Sequence, residues 1–176
     1  MPLLTILHYP DPRLRNQARP VEAIDEKTKQ LIDDMFHTMY ASEGIGLAAT
    51  QVDVHQRIIV IDTSREGTQP LCFINPEIRE KGGNTETQEG CLSVPDIHEN
   101  VKRAQWIRVT ALDQEGNPFQ YEASDITAVC LQHEIDHLDG KLFVDHLSRL
   151  KRQRIQARIQ KQQRKSKDNA SAPLRP

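Results

Sequence analysis

Apolar residues recur at Leu31, Ile32, Met35, Phe36 and Met39, the spacing of a helix with one buried face. This predicts a helix over residues 25–40, with Asp25 and Glu26 placing negative charge at its start. SEGIGLAATQV (42–52) carries two glycines one residue apart and reads as irregular backbone. RIIVID (57–62) is a short β-branched run and predicts a buried strand. PLCFINPEI (70–78) predicts another strand, which Pro76 pushes toward a sheet edge. KGGNTETQEG (81–90) reads as turn. WIRVTAL (106–112), the turn DQEGNP and FQYEA (119–123) predict a β-hairpin. The strongest helical pattern is SDITAVCLQHEIDHLDG (124–140), with Ser124 as N-cap and Gly140 where it stops. A last helix begins at Ser148 and runs to about residue 165, and the final residues read as disordered. Strands come first and the strongest helix late, so the expected class is α+β. The expectation is one domain over 1–147, with mixed or antiparallel sheets around a central helix. A basic helix and a disordered tail fill 148–176.

Composition narrows the class. At 176 residues, 37% hydrophobic and 27% charged, the chain suits a soluble globular domain. No run approaches the ~20 apolar residues that span a bilayer. The segment MPLLTILHYPDPRLR lacks a secretory apolar region, and three cysteines are too few for a disulfide framework. A cytoplasmic location is expected, with no membrane and no DNA partner. The net charge of -2 hides an asymmetry. Residues 149–176 hold ten Lys/Arg and one acid, Asp168, a balance of +9 against -11 for the remainder. An acidic body with a basic tail points to a polyanion as partner of the tail.

His133-Glu134-Ile135-Asp136-His137 is an HExxH motif within the strongest helix. Residues i and i+4 share a helix face about 6 Å apart along the axis, so both imidazoles can converge on one ion. Glu134 lies beside that face and suits a general base. Ile126, Val129, Cys130, Leu131, Ile135 and Leu138 frame a core helix, where unpaired His and Glu are expensive. Such a site wants a third ligand. Cys130 stands seven residues, about 10 Å of rise, from His137 and cannot complete the set, so it reads as core or pocket wall. Cys72 reads as strand core. Cys91 is the preferred third ligand: it sits in the polar segment Gln88-Glu89-Gly90-Cys91-Leu92-Ser93, beside a glycine that permits close backbone approach. His98 and His146 compete with it. Taken alone, Gln51 reads as a surface glutamine, and His8, His37 and His55 fall outside the ligand set.

Three segments in order, Gly44-Ile45-Gly46-Leu47-Ala48-Ala49-Thr50-Gln51-Val52, Glu89-Gly90-Cys91-Leu92-Ser93 and Gln132-His133-Glu134-Ile135-Asp136-His137, resemble the motifs of the peptide deformylases. These bacterial enzymes remove the formyl group from nascent N-formylmethionyl peptides. The resemblance runs from about residue 3 to residue 165, with no insertion between motifs. It implies a metal-dependent hydrolase acting on the formyl amide and releasing formate. Cys91, His133 and His137 then match the metal ligands, with a water in the fourth position. The implied ion is Fe(2+), with Zn(2+), Ni(2+) or Co(2+) able to substitute. Glu134 matches the catalytic acid/base. Gln51 and the Leu92 N–H match the donors to the formyl oxygen. Ile45 and Gly46 match backbone that pairs with substrate, and Gly90 joins the substrate contacts. Gly44, Ile126, Val129, Cys130 and His133 match the walls of a methionine pocket. The resemblance further implies that the basic C-terminal helix meets the ribosome near its exit tunnel. One departure stands out: His98 falls where several relatives carry an arginine that steadies the substrate chain. Two rival readings are an HExxH metallopeptidase with a different third ligand and a non-enzymatic RNA-binding module built on the tail.

Overall fold

Within the run Arg57–Asp62, Ile58–Ile61 form the second strand of a five-stranded antiparallel sheet, and all four residues of that strand are buried. The structure, a computed structural model, describes residues 2–170. The chain divides into two compact units between Phe143 and Val144. In the first unit the strands are β1 (Gly46–Ala48), β2 (Ile58–Ile61), β3 (Leu71–Gly82), β4 (Thr85–Cys91), β5 (Val94–Arg103), β6 (Trp106–Leu112) and β7 (Pro118–Ser124). The helices there are α1 (Glu26–Ala41) and α2 (Asp125–Leu138). The main sheet runs β1-β2-β3-β6-β7, and β4 and β5 form a separate two-stranded ribbon. Every named pair is antiparallel, as an α+β fold of this kind requires.

The unbroken apolar run of β2 follows from burial on both faces. Ile59 and Ile61 join Phe73, Ile107 and Val109 in one core with Leu131, Ile135 and Leu138 of α2. Ile58 and Val60 join Ile32, Met35 and Met39 of α1 in a second core. Each such side chain, fully withdrawn from water, contributes roughly 1.5–3 kcal/mol. The sheet is therefore a middle layer, and α2 is held rigidly against one side of it.

Helix α1 follows its pattern, and the Asp25 carboxylate accepts from Thr28 N at 2.9 Å. In α2, Ser124 occupies the cap position but its side chain makes no capping bond. The helix ends as expected at Gly140, whose φ of +74° is the left-handed conformation glycine adopts freely. Its N–H donates to His137 O at 3.1 Å.

Two strand expectations are corrected. Pro76 does not mark an edge: β3 lies between β2 and β6. The ladder with β6 shifts register between Ile74 and Glu77, and this bulge takes up the residue that has no N–H to give. Residues 81–90 are mostly strand, because β3 runs to Gly82 and β4 begins at Thr85. Segment 42–52 is also more regular than expected, forming β1 and a 3-10 turn over Ala49–Val52.

The second unit holds α3 (Arg149–Ala170). Ser148 caps it, its Oγ accepting from Lys151 N at 3.3 Å. The helix continues past the expected end near 165, because no Gly or Pro interrupts the chain before Pro173. The disordered reading therefore fails for 166–170, and residues 171–176 lie outside those described. No described helix is long and apolar enough to cross a membrane.

Candidate metal centre

Helix α2 sets His133 and His137 one turn apart, both buried, with Nε2 atoms 3.2 Å from each other. Cys91 arrives from the tight turn between β4 and β5, where its Sγ lies 3.3 Å from His137 Nε2. The three donor atoms all fall within 4.8 Å of one another. His133 Nδ1 bonds Glu89 Oε1 at 2.8 Å, which turns the Nε2 lone pair toward the sulfur and the second imidazole. Lone pairs gathered this closely repel one another unless a positive charge lies among them. Burial works to lower the His133 pKa, yet Cys91 and Glu89 raise it well above normal, while burial and His133 drive His137 well below. One thiolate and two imidazoles, with an outer carboxylate orienting a ring, fit a divalent transition-metal ion.

Around this group opens a cleft of about 440 Å³. Gly44, Ile45, Gly46 and Gln51 line it, together with Gly90, Cys91, Leu92 and His98 and with His133 and Glu134 of α2. Glu134 is buried, and its Oε2 has no protein hydrogen-bond partner among the described residues. Burial pushes its carboxyl up to about 7. Gly46 must lack a side chain, since a Cβ there would come within 2.5 Å of Glu134 Oε1 and 2.9 Å of Cys130 Sγ. Gln51 is buried, not a surface residue. Its Oε1 accepts from Ala48 N at 2.8 Å, which fixes the amide so that Nε2 points inward, 3.0 Å from Ser93 Oγ and 3.6 Å from Cys91 Sγ. A larger cavity, about 940 Å³ between Asn16 and Gln56, has no comparable convergence of donors.

The family model for polypeptide deformylase matches residues 3–153. The chain belongs to the polypeptide deformylase family. A peptide deformylase of Pseudomonas aeruginosa is 57% identical over 165 residues, covering 93% of this chain and 98% of that protein. One from Tolumonas auensis is 56% identical over 161 residues, covering 92% and 96%. Among solved structures, a peptide deformylase from Legionella pneumophila matches with TM-score 0.89 and 46% identity, over 98% of this chain and all of that one. One from Ehrlichia chaffeensis, in complex with actinonin, matches with TM-score 0.89 and 42% identity, over 93% and 99%.

Most residues expected from the resemblance to peptide deformylases meet in this one cleft. Ile126, Val129 and Cys130 are not among its lining residues: Ile126 is exposed, Val129 and Cys130 are buried, and Cys130 Sγ reaches Ile45 O at 3.6 Å. His98 sits at the cleft wall and, like His146, stands outside the three-donor group. Sequence reasoning missed Glu89, Arg103 and Asp136. Arg103 pairs with Glu89 at 2.8 Å and with Asp136 at 2.6 Å, almost wholly out of solvent. Burial opposes the Glu89 charge, but hydrogen bonds from Arg103 and His133 hold its carboxyl down to about 2. The available signal was position alone: Glu89 stands two residues before one ligand of the motifs and Asp136 directly before another.

Proposed function

We propose that this chain removes the formyl group from the N-terminal formylmethionine of newly made polypeptides, giving formate and a free α-amine. The observation that carries the reading is the convergence of Cys91, His133 and His137 in a cleft that also holds Glu134 and Gln51. We take Cys91, His133 and His137 as the ligands of one ferrous ion, for which zinc, nickel or cobalt can substitute. When bound, the ion supplies Lewis acidity, which acidifies water and draws charge from a carbonyl oxygen.

The chain's own groups do the rest. Glu134 accepts a proton from the attacking water and returns it to the leaving nitrogen, so that a C–O bond forms, the C–N bond breaks and one water is consumed. Its buried position favours both halves of that exchange, because a carboxyl raised to about 7 is neither fully charged nor fully neutral near neutral pH. The Gln51 amide, locked by Ala48, and the Leu92 N–H donate to the formyl oxygen as charge builds there. Loss of one such donor costs about 10²–10³ in turnover. Ile45, Gly46 and Gly90 offer backbone to the substrate chain in the manner of an added strand. We take Gly44, Ile126, Val129, Cys130 and His133 as the walls of a methionine pocket, with Gly44 and His133 on the cleft itself and Cys130 behind its Ile45–Gly46 edge; an unbranched thioether adapts to such an irregular wall. The basic face of α3 meets ribosomal RNA near the exit tunnel.

Formate release from an N-formyl-Met peptide, compared with acetate release from its N-acetyl twin, tests the reading. The formyl substrate turns over at least ~10²-fold faster if a closed donor site admits little beyond hydrogen. Equal rates would overturn it. Glu134→Ala keeps the metal and loses at least ~10²-fold in turnover. Metal lost along with activity would instead place Glu134 among the ligands.

A further inference from the structure

The ribbon that delivers Cys91 shares no ladder with the five-stranded sheet, so side chains must fix the sulfur against the two imidazoles. One guanidinium does most of this. Arg103, at the end of β5, gives Nε and Nη2 to the two oxygens of Glu89 at 2.8 and 2.9 Å and Nη1 to Asp136 Oδ2 at 2.6 Å. Glu89 stands two residues before Cys91 on β4, and its Oε1 also takes His133 Nδ1. Asp136 stands one residue before His137 on α2. Beside this bridge, Ala104 N donates to Gln132 Oε1 at 3.0 Å and Gln132 Nε2 donates to Ala104 O at 2.9 Å. Gln132 is the residue before His133.

We infer that Arg103 is a positioning residue, a clamp between the Cys91 ribbon and the His133–His137 helix that sets how long the centre retains its ion. The inference rests on the reading of the three-donor group as a metal site. A planar fork suits this role better than an ammonium, because it spans two carboxylates in fixed directions. A buried charge network of this kind adds little net stability over apolar packing, but it specifies one geometry.

The test uses zinc-loaded full-length protein and an excess of chromophoric chelator. Arg103→Lys and Asp136→Asn each release zinc about 10-fold faster or more than the native protein. In the cobalt-loaded protein both variants shift the sulfur-to-cobalt absorption band. Asn75→Ala, which cuts two bonds to Val21 at the bulge of β3, lowers the melting temperature and leaves release unchanged. Release within about twofold of native in both clamp variants overturns the inference, as does release that simply follows melting temperature across all three. Asp136, at the more exposed end of the bridge, carries the test if Arg103→Lys does not fold. Native protein that takes up no zinc would sink the metal site itself; native uptake with unaltered variants would sink only the clamp.

Discussion

Glu134 is a carboxyl with almost no water around it and no protein hydrogen bond to its Oε2. Its folded pKa of about 7 stands above the ordinary 4.5 because burial penalises the charge. Below pH 4.5 the group is neutral in folded and unfolded chains alike, so it makes no difference. As pH rises through about 7 the folded chain must carry a buried charge, and stability is lost. Glutamine is neutral at every pH. Glu134→Gln therefore stabilises the metal-free protein near pH 8, by at most about 3 kcal/mol, which raises its melting temperature there and changes it little near pH 5. Thermal melts in chelator at the two pH values check this; an equal shift at both would mean that the carboxyl is solvated. The legibility of individual residues divides along similar lines. The helical spacing of His133, Glu134 and His137 was plain, because periodicity alone puts them together. Gln51 needed the family motif, since nothing local says a glutamine is inside. Glu89, Arg103 and Asp136 were invisible, because charges in a sequence look like surface until a fold pairs them.

Pro76 lies within an interior strand because a bulge surrounds it, and Asn75 makes that bulge possible. Asn75 adopts φ +52°, while its side chain accepts from Val21 N at 2.8 Å and donates to Val21 O at 2.9 Å. Asn75→Ala loses both bonds and keeps the strained backbone, so stability drops by about 2 kcal/mol. A urea titration reads this as a lower midpoint with an unaltered slope. Elements with an apolar period were readable: α1, α2, β2 and the β6–β7 hairpin all follow their patterns. The β4–β5 ribbon was not, because strands such as TETQEGC are polar in sequence and bury a carboxylate where a sheet would bury an aliphatic residue. Their pairing is a tertiary fact that local composition does not encode.

Across the whole chain, charge is segregated. Helix α3 carries nine Lys and Arg against Asp168, while residues 1–148 are strongly acidic. If α3 meets ribosomal RNA as proposed, replacing Arg158, Lys161, Arg164 and Lys165 with glutamine leaves turnover on short formyl peptides unchanged and weakens ribosome binding. It also flattens the salt dependence of that binding, by up to about one log unit for each phosphate left without its cation. Sedimentation with ribosomes across a salt series measures it, and an unaltered slope would remove the helix from that role. The separate ribbon has a different consequence. Cys91 and His133 lie far apart along the chain and belong to parts of the fold that no strand pairing unites. An ion seated between them is also a cross-link, closing a long loop as a disulfide would. Occupancy should therefore show in the amide exchange of β4 and β5, slowed when the ion is present, while the exchange of the five-stranded sheet stays the same.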